Sequence, residues 1–221
     1  DRFGKGIRTA PRDALVAESG EAALGKSFGL HKMLDMLGAG LGILIAYLLY
    51  QQLVKDNMLI DIKAFKTIFL LSIIPAVLGL VFLSLVRERK KNTKWGNRFT
   101  LKGLKLNPRL KWYLVVILLF SLGNSSNAFL LLKATDAGYT TSFVLLLYLV
   151  YHLVSTIFAF PMGKWSDRIG RHKLVVPGYL LYGFLYFGFA FLTSKVSLMV
   201  LFGAYGLYQA IISGAEKAFI T

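Results

Sequence analysis

Eleven consecutive residues hold the densest chemistry in this 221-residue chain: Gly163-Lys164-Trp165-Ser166-Asp167-Arg168-Ile169-Gly170-Arg171-His172-Lys173. Gly163 and Gly170 allow close packing and a tight turn, because neither carries a Cβ. Asp167 can cap a neighbouring helix N-terminus, where the macrodipole favours an anion. Arg168 and Arg171 can bind carboxylates or the carbonyls that end a helix, and Lys173 extends the positive charge.

Other polar residues recur at helical spacing. Lys5, Arg8 and Arg12 repeat at three and four residues and share one helical face, with Asp13 next in sequence. Asp35 follows His31 by one turn, so this pair could relay a proton. Lys32 and Asp35, three apart, could equally form a structural ion pair. Tyr205, Gln209, Ser213 and Glu216 are spaced four, four and three along an otherwise apolar or small stretch. Asn124 and Asn127 share a face, with Ser125 and Ser126 beside them. Such stripes line a watery path, or they make interhelical hydrogen bonds worth only about 0.6 kcal/mol each.

The elements that must carry these residues follow from composition. The chain is 56% hydrophobic, with mean hydropathy +0.59, and its apolar residues come in long blocks. A hydrocarbon slab about 30 Å thick needs roughly 20 helical residues to cross it. Six blocks qualify, at residues 36–54, 67–86, 112–132, 143–162, 174–192 and 196–213, and none contains Asp, Glu, Lys or Arg. Strands and open loops cannot replace helices there, because unpaired backbone groups are too costly in lipid. Residues 1–19 are too charged to score as a span, yet Ala14 to Ala17 are helix material. A charged face inside a membrane is tolerable if it lines water or meets opposite charge.

There is no cysteine, which excludes disulfides, iron–sulfur clusters and thiol catalysis. No H-E-x-x-H, nucleophile elbow or P-loop occurs, so neither an enzyme nor an ATP-driven pump is expected within these residues. No cofactor or metal is implied. The chain begins at Asp1 and stops at Thr221 in what reads as an unfinished helix, so both ends read as cut. The net charge of +15 raises nucleic acid as a partner, but its placement argues against one. Ten Lys and Arg fall within residues 87–111, with Glu88 the only acid and Trp95 and Phe99 interleaved. Two membrane spans flank this run, so it reads as a cytoplasmic loop obeying the positive-inside rule. The same rule places 163–173 in the cytoplasm and the other three loops outside.

The run from Gly163 to Lys173 fits G-x-x-x-D-R-x-G-R-[RK]-[RK], with His172 at the first of the two final basic positions. It resembles the loop signature of the major facilitator superfamily, found between helices two and three and often again between eight and nine. Stretches such as residues 4–15 and 122–126 look like an uncharacterised bacterial branch. The resemblance covers essentially the whole chain. It implies an all-α integral membrane protein, a partial twelve-helix fold with about seven transmembrane helices, from helix four (residues 1–19) to helix ten (residues 196–221). Residues 1–86 would end the N-terminal half, 87–111 would be the central cytoplasmic loop, and 112–221 would begin the C-terminal half. By pseudo-symmetry, the loop between helices eight and nine sits beneath the start of helix five. Asp167 is therefore expected beside the backbone amides of residues 24–28.

The halves of such transporters are related by an axis along the membrane normal, so helix four corresponds to helix ten. Aligning residues 11–17 with 215–221 sets Arg12 on Glu216 and Asp13 on Lys217, with charges inverted. These residues could pair across the midline as an inner gate. Alternatively, each is satisfied within its own half, for example Arg12 with Asp35. In the family, helices one, four, seven and ten line the substrate path, which places Asn124, Asn127, Tyr205, Gln209 and Ser213 there. Gly29, Gly38 and Gly42 fit the first three glycines of the family's antiporter motif, but Ile43 stands where its proline belongs. Plain packing is favoured for them, and proton-coupled export only slightly. The implied protein is a secondary transporter of a small solute, a monomer in the plasma membrane, with protons as a further partner. A receptor or scaffold on the same fold is the alternative.

Overall fold

The computed structural model describes residues 9, 13, 16, 24–54, 62–85, 115, 116, 118, 120 and 126–220, with the backbone alone at 83, 171, 172 and 214–220. Six α-helices are delimited: α1 (Leu24–Leu53), α2 (Ile62–Leu85), α3 (Asn127–Asp136), α4 (Thr141–Ile169), α5 (Arg171–Phe191) and α6 (Lys195–Ile220). No strand occurs among the described residues. Five helices are long and apolar enough to cross a membrane, within Leu24–Leu53, Ile62–Phe82, Thr141–Ile169, Lys173–Phe191 and Lys195–Ser213. Five of the six expected blocks thus fall on helices of spanning length. Thr9, Asp13 and Val16 are helical; the rest of the expected helix at 1–19 lies outside the described residues.

Two expectations need correction. The block at 112–132 is not one unbroken helix: residues 115, 116, 118 and 120 are helical, but Ser126 is not. Ser126 instead opens α3, accepting from Phe129 N at its carbonyl (2.9 Å) and from Ala128 N at Oγ (3.3 Å). A serine that satisfies first-turn amides in this way favours a helix start over helix continuation. The second correction concerns 163–173, which is hardly a loop. Residues 163–169 form the last two turns of α4, and α5 begins at Arg171. Gly170 alone makes the turn, with φ of 97°, where a side chain would be strained.

The chain divides into two compact units, one of Asp1–Phe65 with Leu131–Thr221, the other of Lys66–Leu130. In the first, α4 packs against both α1 and α6, which also touch each other, and α5 lies on α6. Aromatic rings fill the contact between α4, α5 and α6. Tyr151 stacks on Tyr205 at 5.4 Å and Tyr205 on Tyr208 at 5.5 Å, while Phe189 meets Phe202 edge-on at 5.2 Å. Offset and edge-on pairs of this kind add about 0.5–1.5 kcal/mol each beyond their buried area. At one end of the unit, Lys133 Nζ donates to the Ala190 carbonyl (3.0 Å) and Tyr139 Oη to the Thr193 carbonyl (2.7 Å). These bonds satisfy carbonyls near the end of α5 that have no partner within the helix.

In the second unit, α2 from Lys66 onward keeps its apolar side chains outward, with Phe69 70% and Phe82 68% exposed. Ser72 and Ser84 donate to the carbonyls of Phe69 and Val81, both at 2.7 Å. Their hydroxyls are satisfied within the helix, and its surface suits a hydrocarbon surrounding.

Candidate functional site: the seam between α1 and α4

Small residues four apart let two helix backbones approach closely, and α1 and α4 use this directly. Gly25 and Gly29 face Ala159 and Gly163. A Cβ at Gly25 would sit 2.5 Å from the Gly163 carbonyl oxygen, and one at Gly29 would sit 2.8 Å from that of Ala159. A Cβ at Gly163 would collide with the Gly25 carbonyl and lie 2.9 Å from Gly29 Cα. Further along the antiparallel pair, a Cβ at Gly40 would reach 3.4 Å from His152 Cβ.

Asp167 closes the end of this seam. Its Oδ1 accepts from Gly25 N and its Oδ2 from Lys26 N, both at 2.8 Å. One carboxylate thereby satisfies two of the unpaired amides in the first turn of α1 and places a negative charge at the positive end of the helix. This is the position expected for Asp167 beside residues 24–28. Ser166 beside it is fully buried, and its Oγ has no hydrogen-bond partner among the described residues. Arg168 is exposed in the last turn of α4, where a cation complements the helix dipole. Lys173 is exposed, and Arg171 begins α5.

The other anticipated residues divide. Lys32 Nζ and Asp35 Oδ2 are 3.7 Å apart, which is the ion pair weighed against a His31–Asp35 relay. His31 is half-buried and makes contacts of its own. Of the partial antiporter motif, Gly29 packs against α4, and a Cβ added at Gly38 or Gly42 would meet nothing within 4 Å among the described residues. Tyr205 is 3% exposed and lies inside the aromatic cluster, whereas Gln209 and Ser213 on the same stripe are half-buried. Ser213 Oγ reaches the Ala210 carbonyl at 3.4 Å. Asn127 is the half-buried first residue of α3, and Asp13 is half-buried and engaged. Arg8, Arg12 and Asn124 lie outside the described residues, as do the side chains of Glu216 and Lys217, so the charge-inverted gate does too.

His152 was not anticipated. It is 4% exposed on α4, with Nδ1 2.9 Å from the Tyr148 carbonyl. The rings of Tyr148 and Tyr151 meet it edge-on at 4.4 and 4.7 Å. Its signal in the sequence was plain: it is the only histidine within the six apolar blocks, and an ionisable residue at such depth is a functional candidate by default.

The sequence model of the Major Facilitator Superfamily matches residues 2–220. The chain belongs to the major facilitator superfamily. An uncharacterized MFS-type transporter of Methanocaldococcus jannaschii is 34% identical over 231 residues, covering 100% of this chain and 55% of that protein. The chain thus spans about half the length of the curated relative it matches. No solved structure matches it significantly. As a superfamily member it is part of a multi-pass membrane protein of a transporter family rather than of an enzyme, and its apolar helices are the spans.

Proposed function

We propose that this chain is the central part of a secondary transporter that moves a small solute by alternating access. The observation that carries the reading is the two-point bond from the Asp167 carboxylate to the start of α1. In the register implied by the family, α1 is helix five of the N-terminal half and α4 is helix eight of the C-terminal half. The bond would then join the halves at the face where the positive-inside rule puts 163–173, the cytoplasmic one. A carboxylate on two backbone amides makes a strong contact that side-chain rotation can release and remake. It is therefore a latch for the state closed to the inside.

Arg12 and Asp13 with Glu216 and Lys217 would add a gate beside it, and Asn124, Asn127, Gln209 and Ser213 would face the solute. Tyr205 supports that path from behind, through its ring contacts. Export in exchange for protons across the plasma membrane, by a monomer, is the finer form of this proposal. The test is reconstitution of the full-length protein in liposomes, with solute flux measured with and without a pH gradient. Wild-type protein should move at least one small solute class faster than Asp167→Asn protein. Equal flux through wild-type and empty liposomes for every class would refute transport.

A further inference from the structure

We infer that the Asp167 end of the α1–α4 seam is a docking surface for the headgroup of an anionic glycerophospholipid, held by Lys26, Lys164 and Arg168 beside Trp165. Such a surface requires only that α4 spans the membrane, not that the chain carries a solute. α4 runs 29 residues, from Thr141 to Ile169. That is about 44 Å of helix, whereas the hydrocarbon core is about 30 Å thick. The apolar block within α4 ends at residue 162. The turns from Gly163 onward therefore rise into the headgroup layer, where lipid phosphates lie.

Lys164, Trp165 and Arg168 sit on those turns, and all three are exposed, Trp165 by 51%. Lys164 and Arg168 are four apart on one helical face, a spacing at which like charges repel. The Asp167 bond brings a third cation from another helix: Lys26 N is 2.8 Å from Asp167 Oδ2, and Lys26 is exposed. Lys173 is exposed in the first turn of α5. None of these four cations forms an ion pair among the described residues. Asp167 is the one acid within 163–173, and both its oxygens accept from α1 amides. A single carboxylate therefore leaves a positive corner built from two helices. A phosphodiester suits that corner, because its oxygens can take charge-assisted bonds from ammonium and guanidinium together. An exposed indole at this depth favours the membrane interface, so the occupant is a lipid rather than a free phosphate. A zwitterionic headgroup would bring a cation of its own to an already positive corner, which selects an anionic lipid.

Native mass spectrometry of the full-length protein in a non-ionic detergent, titrated with phosphatidylglycerol or phosphatidylcholine, reads the occupancy of such a surface. The tightest phosphatidylglycerol adduct should form about tenfold more tightly than the phosphatidylcholine one, since each Lys or Arg at a membrane surface contributes about fivefold in affinity for acidic lipid. Lys26→Gln should weaken that adduct about fivefold, and Lys164→Gln with Arg168→Gln about 25-fold. Lys164→Arg keeps the charge and should keep the affinity. Lys133→Gln and Lys195→Gln, on helices α3 and α6 at the other end of the unit, should also leave it unchanged. All variants are checked for monodispersity, and their binding of phosphatidylcholine should match that of the wild type. Equal affinity of the wild type for the two lipids overturns the proposal. So does an unchanged phosphatidylglycerol affinity in the folded Lys26→Gln protein or in the folded double variant. Excess inorganic phosphate should leave the adduct in place; complete displacement by phosphate would show a simple anion site and overturn the assignment to a lipid.

Discussion

Replacing Asp167 by Asn should loosen the seam by an amount the geometry fixes. The carboxylate makes two bonds of 2.8 Å to backbone amides. Hydrogen bonds to a charged group are worth about 1.5–3 kcal/mol each. Asn offers one acceptor oxygen, so one bond survives in neutral form. Its amide group faces the second N–H donor to donor, and that bond is lost. The bond to Lys26 N is exposed, so solvent screening reduces the loss to about 1–2 kcal/mol. That corresponds to about a 5- to 30-fold change in the closed-to-parted ratio. Ser166 is fully buried, so a cysteine there is hidden while the seam is closed. Maleimide labelling of Ser166→Cys in the full-length protein should therefore run about 5- to 30-fold faster when Asp167→Asn is added. A rate unchanged within about twofold, in a protein that remains folded, would show that the carboxylate does not hold the helices together.

Gly163→Ala must push its methyl into the Gly25 carbonyl and Gly29 Cα, at a cost of about 1–3 kcal/mol typical of overpacking; Gly42→Ala meets nothing among the described residues, and only the first should accelerate the labelling of Ser166→Cys. Tyr205→Ala empties the centre of the aromatic cluster and should cost about 3–5 kcal/mol, read as a lower thermal midpoint in detergent. Gln209→Ala should change stability by no more than about 0.5 kcal/mol while lowering flux, and unaltered flux would remove Gln209 from the path. Arg12→Glu and Glu216→Arg should each impair transport severely and recover part of the loss when combined; no recovery means the two are not coupled.

The spans were legible because lipid demands long apolar helices, and the blocks at 67–86, 143–162, 174–192 and 196–213 lie almost wholly within α2, α4, α5 and α6. Hydropathy alone marks only residues 36–54 of α1, which runs from Leu24; its start at 24–28 follows instead from the expected partner of the Asp167 motif. The first turns carry Lys26, His31, Lys32 and Asp35, which lower the hydropathy there. They are accommodated by the Asp167 cap and by an ion pair, neither of which a local window can detect. The position of Asp167 was legible through the spacing of its motif and the two-fold logic of the family. The helical course of 163–169 was not, because a motif known as a loop hides how little of it turns; only the positive φ of Gly170 is needed. Tyr205 illustrates the opposite failure. A stripe of polar side chains shows a shared face, but a tyrosine hydroxyl does not tell whether that face meets water or other rings.

The contact among Gly25, Gly29 and Gly163 has a mechanical consequence. Interdigitated side chains must unthread and choose new rotamers when two helices part, and that reordering slows both departure and return. Main chain against main chain has no rotamers to reset. Such a surface behaves like a dry bearing, whose two faces keep the same shape whether together or apart. If the helices part as proposed, this glycine contact would add little rotamer cost, and the bonds of Asp167 would be the polar contact to break at this end of the seam.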